Sequence, residues 1–203
     1  MESAKIIRID IPWTEKELME IALETAKRNN LKDDYIYMQI TRGQAVRQHS
    51  FPEKTEPTLV MNPQPSAKPS DEVRARGARV VTIRDIRWVH CDIKALSALA
   101  NVLAKQAAKD HHVDDVLYDR AGIGIVEGGS SNLFYFKDDT LMTPPLSPYI
   151  FPGITRAKVL EVAYECGFKV EEKVLTLPEL LQADEVMLCS TGLELLSVTE
   201  VNG

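Results

Sequence analysis

The stretch Asp85-Ile-Arg-Trp-Val-His-Cys-Asp-Ile-Lys94 is where the fold assignment begins, because it mixes charged and apolar side chains directly ahead of a helical pattern. The residues from Arg79 to Ile83 before it predict a strand, and those from about Lys94 to Lys109 predict a helix. That helix places Leu96, Leu99, Ala100 and Leu103 on one face. A single lysine is most often a solvated surface residue, so Lys94 alone does not indicate a site.

Two strands and a glycine-rich turn follow this helix. The residues Asp115 to Tyr118 and Ile123 to Val126 predict the strands, and Glu127 stands at the end of the second. A glutamate in this place is usually on the surface, and the run Gly128-Gly-Ser-Ser-Asn132 is usually a plain turn. The same run could instead direct backbone N–H groups and two hydroxyls at a phosphate.

A hairpin and a second helix are predicted next. Leu133-Phe-Tyr-Phe136 and Thr140-Leu-Met142 flank the turn Lys137-Asp-Asp. After three prolines, Gly153-Ile-Thr155 opens a helix that runs to about Cys166. Thr155 either caps or begins this helix, or it belongs to an anion site, since free N–H groups and the helix dipole favour a phosphate there.

The last part of the chain predicts two more strands. They run from Glu185 to Cys189 and from Leu195 to Val201, after a capping box at Thr176-Leu-Pro-Glu179. Between the strands lies Cys189-Ser-Thr-Gly192, which is most often only a turn but offers two hydroxyls.

The first sixty residues predict a smaller α/β arrangement. Thr14-Glu-Lys-Glu17 forms a capping box ahead of an amphipathic helix over residues 15 to 28. Strands are predicted at Tyr35 to Ile40 and Thr58 to Met61, with a polar loop between them that carries Arg47 and His49. In an extended segment, residues two apart turn to the same side, so this pair is either surface decoration or a carboxylate clamp.

A proline-rich stretch, Asn62-Pro-Gln-Pro-Ser-Ala-Lys-Pro-Ser70, separates the two parts. Proline fixes φ and lacks the amide donor, so this composition continues neither a strand nor a helix. We therefore predict an N-terminal α/β domain over residues 1–62, an interdomain linker at 63–70 and a larger C-terminal domain over 71–203.

Composition narrows the classes of function. The 203 residues are 44% hydrophobic and carry a net charge of −6, with acids and bases interspersed, which disfavours nucleic acid and membrane as partners. The three cysteines have no spacing typical of a disulfide framework or a zinc site, so no metal is expected. The start of the chain lacks the pattern of a signal peptide, and we expect a reducing, cytoplasmic location.

Taken in order, four motifs resemble the fold type IV pyridoxal-phosphate enzymes, the class IV aminotransferases and their relatives. The motifs are Asp85 to Lys94, Glu127-Gly-Gly-Ser-Ser-Asn132-Leu-Phe, Phe151-Pro-Gly-Ile-Thr-Arg156 and Ser190-Thr191. The resemblance spans about Tyr35 to Gly203. It implies an α+β/α/β fold of two domains, a small N-terminal α/β domain, incomplete here, and a larger domain of mixed sheet or pseudo-barrel with helices.

The resemblance also implies roles for single residues. Lys94 would hold pyridoxal 5′-phosphate as a Schiff base and move the substrate proton, and Glu127 would pair with the pyridine nitrogen. Phe151 would pack against the cofactor ring. The groups expected around the phosphate are Ser130, Ile154, Thr155, Ser190 and Thr191.

Arg47-x-His49, followed by Ser50-Phe-Pro-Glu53, resembles the loop with which D-amino acid aminotransferases hold the substrate carboxylate. This favours a D-alanine-type transaminase that passes the amino group to 2-oxoglutarate by a ping-pong mechanism. The alternatives in the same fold are a branched-chain L-amino acid aminotransferase and an aminodeoxychorismate lyase. A homodimer is expected from the family.

The chain departs from the family at its ends. Family members begin with further strands that carry a phosphate-binding arginine and a tyrosine of the carboxylate site, and they continue past Gly203 with a final strand and helix. We expect either a truncated chain or a degenerate one, and an inactive remnant is the alternative from another functional class.

Overall fold

The computed structural model describes residues 1–66 and 68–203, which divide into two compact units, Met1–Ala67 and Lys68–Gly203. The division falls within the stretch predicted as a linker, residues 63–70. The first two residues of that stretch, Pro63 and Gln64, belong to a strand of the first unit. Within the described residues, no helix is long and apolar enough to cross a membrane.

The first unit contains two helices and a two-stranded antiparallel sheet. Its elements are α1 (Glu2–Ile6), α2 (Glu15–Arg28), β1 (Tyr35–Thr41) and β2 (Thr58–Gln64). The predicted capping box starts α2: the Glu17 N–H donates to Thr14 Oγ1 (3.2 Å), and the Thr14 N–H donates to Glu17 Oε2 (2.7 Å). Two terminal donors are thereby satisfied, which confirms the predicted start of this helix.

The second unit is built on one eight-stranded mixed sheet. Its elements in chain order are α3 (Asp71–Arg76), β3 (Ala78–Arg84), α4 (Leu99–Asp110), β4 (Asp115–Arg120), β5 (Gly124–Gly128), β6 (Asn132–Lys137), β7 (Thr140–Thr143), α5 (Ile154–Glu165), β8 (Lys169–Glu172), α6 (Leu177–Leu180), β9 (Glu185–Ser190) and β10 (Glu194–Val201). The strands are ordered β5-β4-β3-β10-β9-β6-β7-β8. The pairs β10–β3, β3–β4 and β7–β8 are parallel, and the other neighbours are antiparallel.

The sheet curls until its first strand meets the chain that follows its last one. The Ile125 N–H of β5 donates to the Leu175 carbonyl over 2.8 Å, and the two residues form an antiparallel bridge. Gly124 makes this approach possible: its φ is +122°, and a Cβ there would lie 2.5 Å from the Leu175 oxygen. The predicted mixed sheet with pseudo-barrel character is confirmed.

Strands β4, β5, β6 and β9 are covered on both faces over most of their length, so their buried residues run on without alternation. On β4, Leu117 packs inside the curl with Leu133, Tyr135 and Leu188. Its neighbours Val116 and Tyr118 face outward, under Ala104 and Ala108 of α4. A third cluster lies beneath α5 and contains Phe134, Leu141, Ala163, Met187 and Cys189. The core therefore has three compartments, one inside the curl and two beneath helices.

The helix predicted from Lys94 begins later than expected. It starts at Leu99, so Lys94 lies in an irregular segment five residues ahead of it. Backbone donors in this segment are used elsewhere: the Cys91 N–H donates to the Pro148 carbonyl (2.8 Å), and the Ala98 N–H to the Leu96 carbonyl (2.7 Å). The Ala98 bond is incompatible with a helix start at Lys94, because in such a helix the Ala98 N–H would donate to the Lys94 carbonyl.

The predicted apolar face of this helix is also not its packed face. Leu96, Leu99 and Leu103 are more than half exposed, whereas Ala104 and Ala108 are buried against the sheet. Alanines four residues apart lie on one side of a helix and allow a close approach to the strands. Small side chains, not the leucines, therefore dock this helix.

Candidate active site

A cavity of about 610 Å³ opens in the second unit. Four segments line it: the chain around Lys94 and the start of α4, the end of β5 with its turn, the residues before and at the start of α5, and the end of β9. The structure brings together in this cavity all the residues predicted to hold a cofactor, namely Lys94, Glu127, Ser130, Phe151, Ile154, Thr155, Ser190 and Thr191. Their roles remain predictions.

Glu127 is a buried carboxylate, only 4% exposed, in the wall of the cavity. Its Oε1 accepts from the Phe151 N–H (2.8 Å) and from Asn132 Nδ2 (3.0 Å). Its Oε2 accepts from Arg87 Nη1 at 2.5 Å. Asn132 also donates to the Phe151 carbonyl (2.8 Å), so one amide ties together the turn after β5 and the chain before α5. The carboxylate is therefore fixed in position.

Burial and these donors act in opposite directions on the ionisation of Glu127. Loss of solvent raises its pKa to about 7, while the Arg87 guanidinium and the Phe151 N–H favour the charged form. A protonated ring nitrogen beside the carboxylate would lower that pKa in the same way. A cation bound in the cavity would therefore add to the groups that favour the charged form of Glu127.

A second buried carboxylate, that of Asp85, pairs with Arg87. Asp85 accepts from Arg87 Nε and Nη2, both at 3.0 Å, and its side chain has no exposure to solvent. Arg120 Nη1 donates to the same Asp85 at 2.9 Å. These pairings raise the pKa of Arg87 above its ordinary value and lower that of Asp85, because each group stabilises the charge of the other. Two acids and two arginines thus form a compensated buried cluster.

Lys94 lies beside Phe151 in the lining of the cavity. Its side chain is exposed, and Nζ is 5.1 Å from the centre of the Phe151 ring. The same ring belongs to the residue whose backbone N–H is bonded to Glu127. The predicted lysine, the predicted stacking residue and the predicted carboxylate therefore share one edge of the cavity.

The start of α5 forms another wall. The N-cap is Gly153 and Thr155 is the second helical residue, with no capping bond from a side chain. The structure thus excludes the interpretation of Thr155 as the cap. The first N–H groups of a helix lack acceptors within the helix, and the dipole favours an anion there. Ile154 and Thr155 carry such groups at the edge of the cavity.

The turn after β9 completes the lining with hydroxyls. Ser190 Oγ accepts from the Leu193 N–H (3.2 Å), so this side chain also shapes the turn. Beside it, Cys189 is fully buried, and burial raises the pKa of its thiol to about 12. The thiol is therefore neutral at ordinary pH.

Arg47 and His49 belong to the first unit, in the loop between β1 and β2, and both are exposed. Near the base of the loop, Arg42 Nη1 donates to the Arg8 carbonyl (2.6 Å), and the Arg42 guanidinium stacks over the Phe51 ring at 3.7 Å. The loop is thus held at its base, and the structure places its predicted pair at the solvent surface of this unit.

Sequence reasoning did not assign roles to several residues that shape the cavity. Asp85, Arg87, Arg120 and Asn132 fix Glu127, although Asp85, Arg87 and Asn132 stand within the quoted motifs. The available signal was the position of charged side chains just after a strand, as at Asp85 and Arg87. Arg120 gave no signal, since only tertiary folding brings it to Asp85.

The fold and the cavity together are those of a class of enzymes, the class IV aminotransferases. The family model for class IV aminotransferases matches residues 1–201, and the chain belongs to this family of pyridoxal-phosphate-dependent enzymes. It is 38% identical over 202 residues to a D-alanine aminotransferase of Bacillus licheniformis and 36% identical over 204 residues to one of Staphylococcus haemolyticus. Both matches take in 100% of this chain, and they cover 71% and 72% of the relatives, respectively.

Solved structures agree on the fold. The branched-chain amino acid aminotransferase of Escherichia coli superposes with a TM-score of 0.91 at 28% identity, covering 100% of this chain and 68% of that one. A putative 4-amino-4-deoxychorismate lyase of Legionella pneumophila gives 0.90 at 21% identity, with 100% and 74% covered, and at that identity it supports the fold alone.

The cavity fits the cofactor of this family. It offers an amine at Lys94, a buried carboxylate at Glu127, an aromatic face at Phe151 and hydroxyls at Ser130 and Thr155. Its volume lies within the usual range for small-molecule sites. An amine, a carboxylate and an anion site are the groups that an aldehyde-bearing pyridine phosphate requires of a protein.

Proposed function

We propose that this chain is a transaminase for D-amino acids of the D-alanine type, with 2-oxoglutarate as the amino acceptor. The observation that carries the proposal is the similarity to D-alanine aminotransferases, which spans the whole of this chain and so the segments that line the cavity. The preference for D substrates is proposed from Arg47 and His49 in the loop between β1 and β2.

Each cavity residue has a distinct task in the proposal. Lys94 would hold the cofactor covalently, and its Nζ would carry the proton of the substrate Cα. Glu127 holds a proton at the pyridine nitrogen. Ser130, Ile154, Thr155, Ser190 and Thr191 bind the phosphate. When bound, pyridoxal 5′-phosphate supplies an electron sink for the substrate carbanion.

Arg47 and His49 are proposed to bind the substrate α-carboxylate. Arginine matches a carboxylate with two parallel bonds, and histidine adds a further donor. Neither side chain is engaged by another residue within 1–66 and 68–203, so both donors are available to a ligand. Anchoring the carboxylate through this loop would select the enantiomer whose Cα–H faces Lys94.

Turnover of D-alanine and 2-oxoglutarate, compared with L-leucine and L-isoleucine, tests the specificity. We expect D-alanine to be preferred and Arg47→Ala to lower kcat/KM for it by about tenfold to a hundredfold, since a charged hydrogen bond contributes about 1.5–3 kcal/mol. The matched control is Arg28→Ala, an exposed arginine of α2 paired with Glu24. Preference for the L substrates would refute the assignment.

A branched-chain L-amino acid aminotransferase is the second candidate. It is favoured by the superposition on the Escherichia coli enzyme at 28% identity. The same comparison of substrates separates the two, and an unchanged L-leucine rate in Arg47→Ala would support the second candidate. Release of pyruvate from aminodeoxychorismate would indicate the lyase instead.

The proposal includes covalent attachment of the cofactor to this polypeptide. Borohydride reduction followed by mass spectrometry should place the adduct on Lys94, and Lys94→Ala should lack it. A chain without any adduct would be a non-catalytic remnant.

Light scattering tests the proposed homodimer, and fractionation of the source cells tests the proposed cytoplasmic location.

A further inference from the structure

The turn that follows β5 is held from behind by a residue outside the cavity lining. Asp115, the first residue of β4, has a side chain only 5% exposed. Its Oδ1 accepts from the Gly129 N–H (3.2 Å), and its Oδ2 from the Ser131 hydroxyl (3.4 Å). One carboxylate therefore contacts the turn on both sides of Ser130, the exposed residue that lines the cavity.

The close approach of this carboxylate depends on glycine. A Cβ on Gly129 would lie 2.5 Å from Asp115 Oδ1, too close for any real side chain. The Gly128 N–H donates to the Ser131 carbonyl (2.9 Å), which closes the turn on itself. Gly129 thus allows the carboxylate to lie directly against the backbone of the turn.

Helix α4 adds two contacts to this arrangement. Lys105 Nζ pairs with Asp115 Oδ1 at 2.8 Å, and Asn101 Nδ2 donates to the Gly129 carbonyl at 2.9 Å. Lys105 compensates the negative charge of Asp115, which would otherwise repel an anion at the turn. Asn101 and the residues just before it also line the cavity. The helix therefore supports both the shape and the charge of this wall.

We propose that Asp115, neutralised by Lys105, is a positioning residue that holds the 128–131 turn in the conformation that receives the phosphate of the cofactor. The inference rests on the proposed function, in which Ser130 belongs to the phosphate site. Asp115 acts through the turn and does not touch the ligand. Its loss should therefore weaken recognition of the phosphate group and leave recognition of the pyridine ring unchanged.

The test compares pyridoxal 5′-phosphate with pyridoxal, which lacks the phosphate, by absorbance titration of the full chain. In Asp115→Ala, the ratio of the two affinities should fall about tenfold, because two hydrogen bonds to a charged group are lost. Asp115→Asn keeps the size of the side chain and should give a smaller fall. Lys105→Gln, at a half-exposed position, should lower the ratio about two- to fivefold.

The neighbouring acid provides a matched control. Asp114 is also ion-paired, with Arg76 at 2.7 Å, but it has no contact with the 128–131 turn. Asp114→Asn should leave the affinity ratio unchanged, and thermal unfolding of every variant reports on folding separately. Equal losses for both compounds in Asp115→Asn and Lys105→Gln would overturn the inference. A wild-type chain that binds neither compound would refute the proposed function itself.

Discussion

The cavity wall that carries Glu127 is buried and multiply bonded, whereas the segment that carries Lys94 is exposed and tied down mainly through its backbone. We call Asp85, Arg87, Arg120, Glu127 and Asn132 the Glu127 wall, and residues 88–98 the Lys94 segment. In the Glu127 wall, each charged side chain has an oppositely charged partner. In the Lys94 segment, the Cys91 N–H is bonded to Pro148, while Lys94, Leu96 and Trp88 are open to solvent.

This difference matches the two chemical tasks proposed for Glu127 and Lys94. A group that sets the charge state of a bound ring must stay in place, and buried charges stay in place only when they are paired. A lysine that is first bonded to a cofactor and then released has to move. The contrast predicts that substitutions of the paired charges in the Glu127 wall change stability strongly, whereas those of the exposed side chains in the Lys94 segment leave stability nearly unchanged.

The largest effect is expected on activity at the Lys94 segment. Lys94→Ala removes the group proposed as both nucleophile and proton carrier, so turnover should fall about a thousandfold or more. The free energy of unfolding should hardly change, because the side chain is exposed. Enzyme assays and urea denaturation check the two expectations, and Lys109→Ala on α4 serves as the control.

Arg87→Met should cause the largest loss of stability. It leaves Glu127 and Asp85 buried without their shared partner, and breaking such a pair costs about 3–5 kcal/mol. Denaturation midpoints measure the loss. Arg28→Met breaks the exposed pair with Glu24 and should cost less than about 1 kcal/mol. Equal costs for the two variants would remove the contrast between buried and exposed pairs.

Glu127→Gln should change how stability depends on pH. The pKa of Glu127 is raised from 4.5 to about 7, so the native chain retains a proton that the unfolded chain releases between these values. Wild-type stability from this group is complete below pH 4.5 and decreases as the pH rises to about 7. The variant lacks this group, so its free energy of unfolding should rise relative to that of the wild type as the pH increases from 4.5 to about 7. A difference independent of pH would contradict the assignment of the raised pKa.

Leu96→Ser should cause the smallest change in the free energy of unfolding. Leu96 is 65% exposed in the Lys94 segment, so the free energy of unfolding should stay within about 0.5 kcal/mol of wild type. A loss of more than about 2 kcal/mol would show that this leucine is buried in the folded protein in solution, and it would weaken the distinction between the two regions.

Sequence predicted best what depends on neighbouring residues. The capping box at Thr14 fixed the limits of α2, and Asp138 and Asp139, both with positive φ, form the predicted turn between β6 and β7. The strand at Lys169–Glu172 was missed, because its half-exposed, charged residues lack an apolar pattern and it forms by pairing with β7.

For the site, the motifs located the residues in the cavity but not those that hold them. Asp115 reaches Gly129 only because β4 and β5 pair, and Arg120 reaches Asp85 only across the sheet. The packed face of α4 was also not predicted. Its leucines have the spacing of a packed face, but its alanines make the contact with the sheet. These features depend on contacts between helices and strands that are distant in the sequence, and a single sequence does not reveal such contacts.

The bridge between Ile125 and Leu175 has a consequence for how the protein behaves at high concentration. A strand at the border of a sheet displays unpaired amides that can recruit a strand of another molecule. Here the amide of Ile125 is already bonded to Leu175, and α6 packs near the same border. The closure that shapes the curled sheet therefore also protects β5 from intermolecular pairing, so that loosening residues 173–176 would favour aggregation.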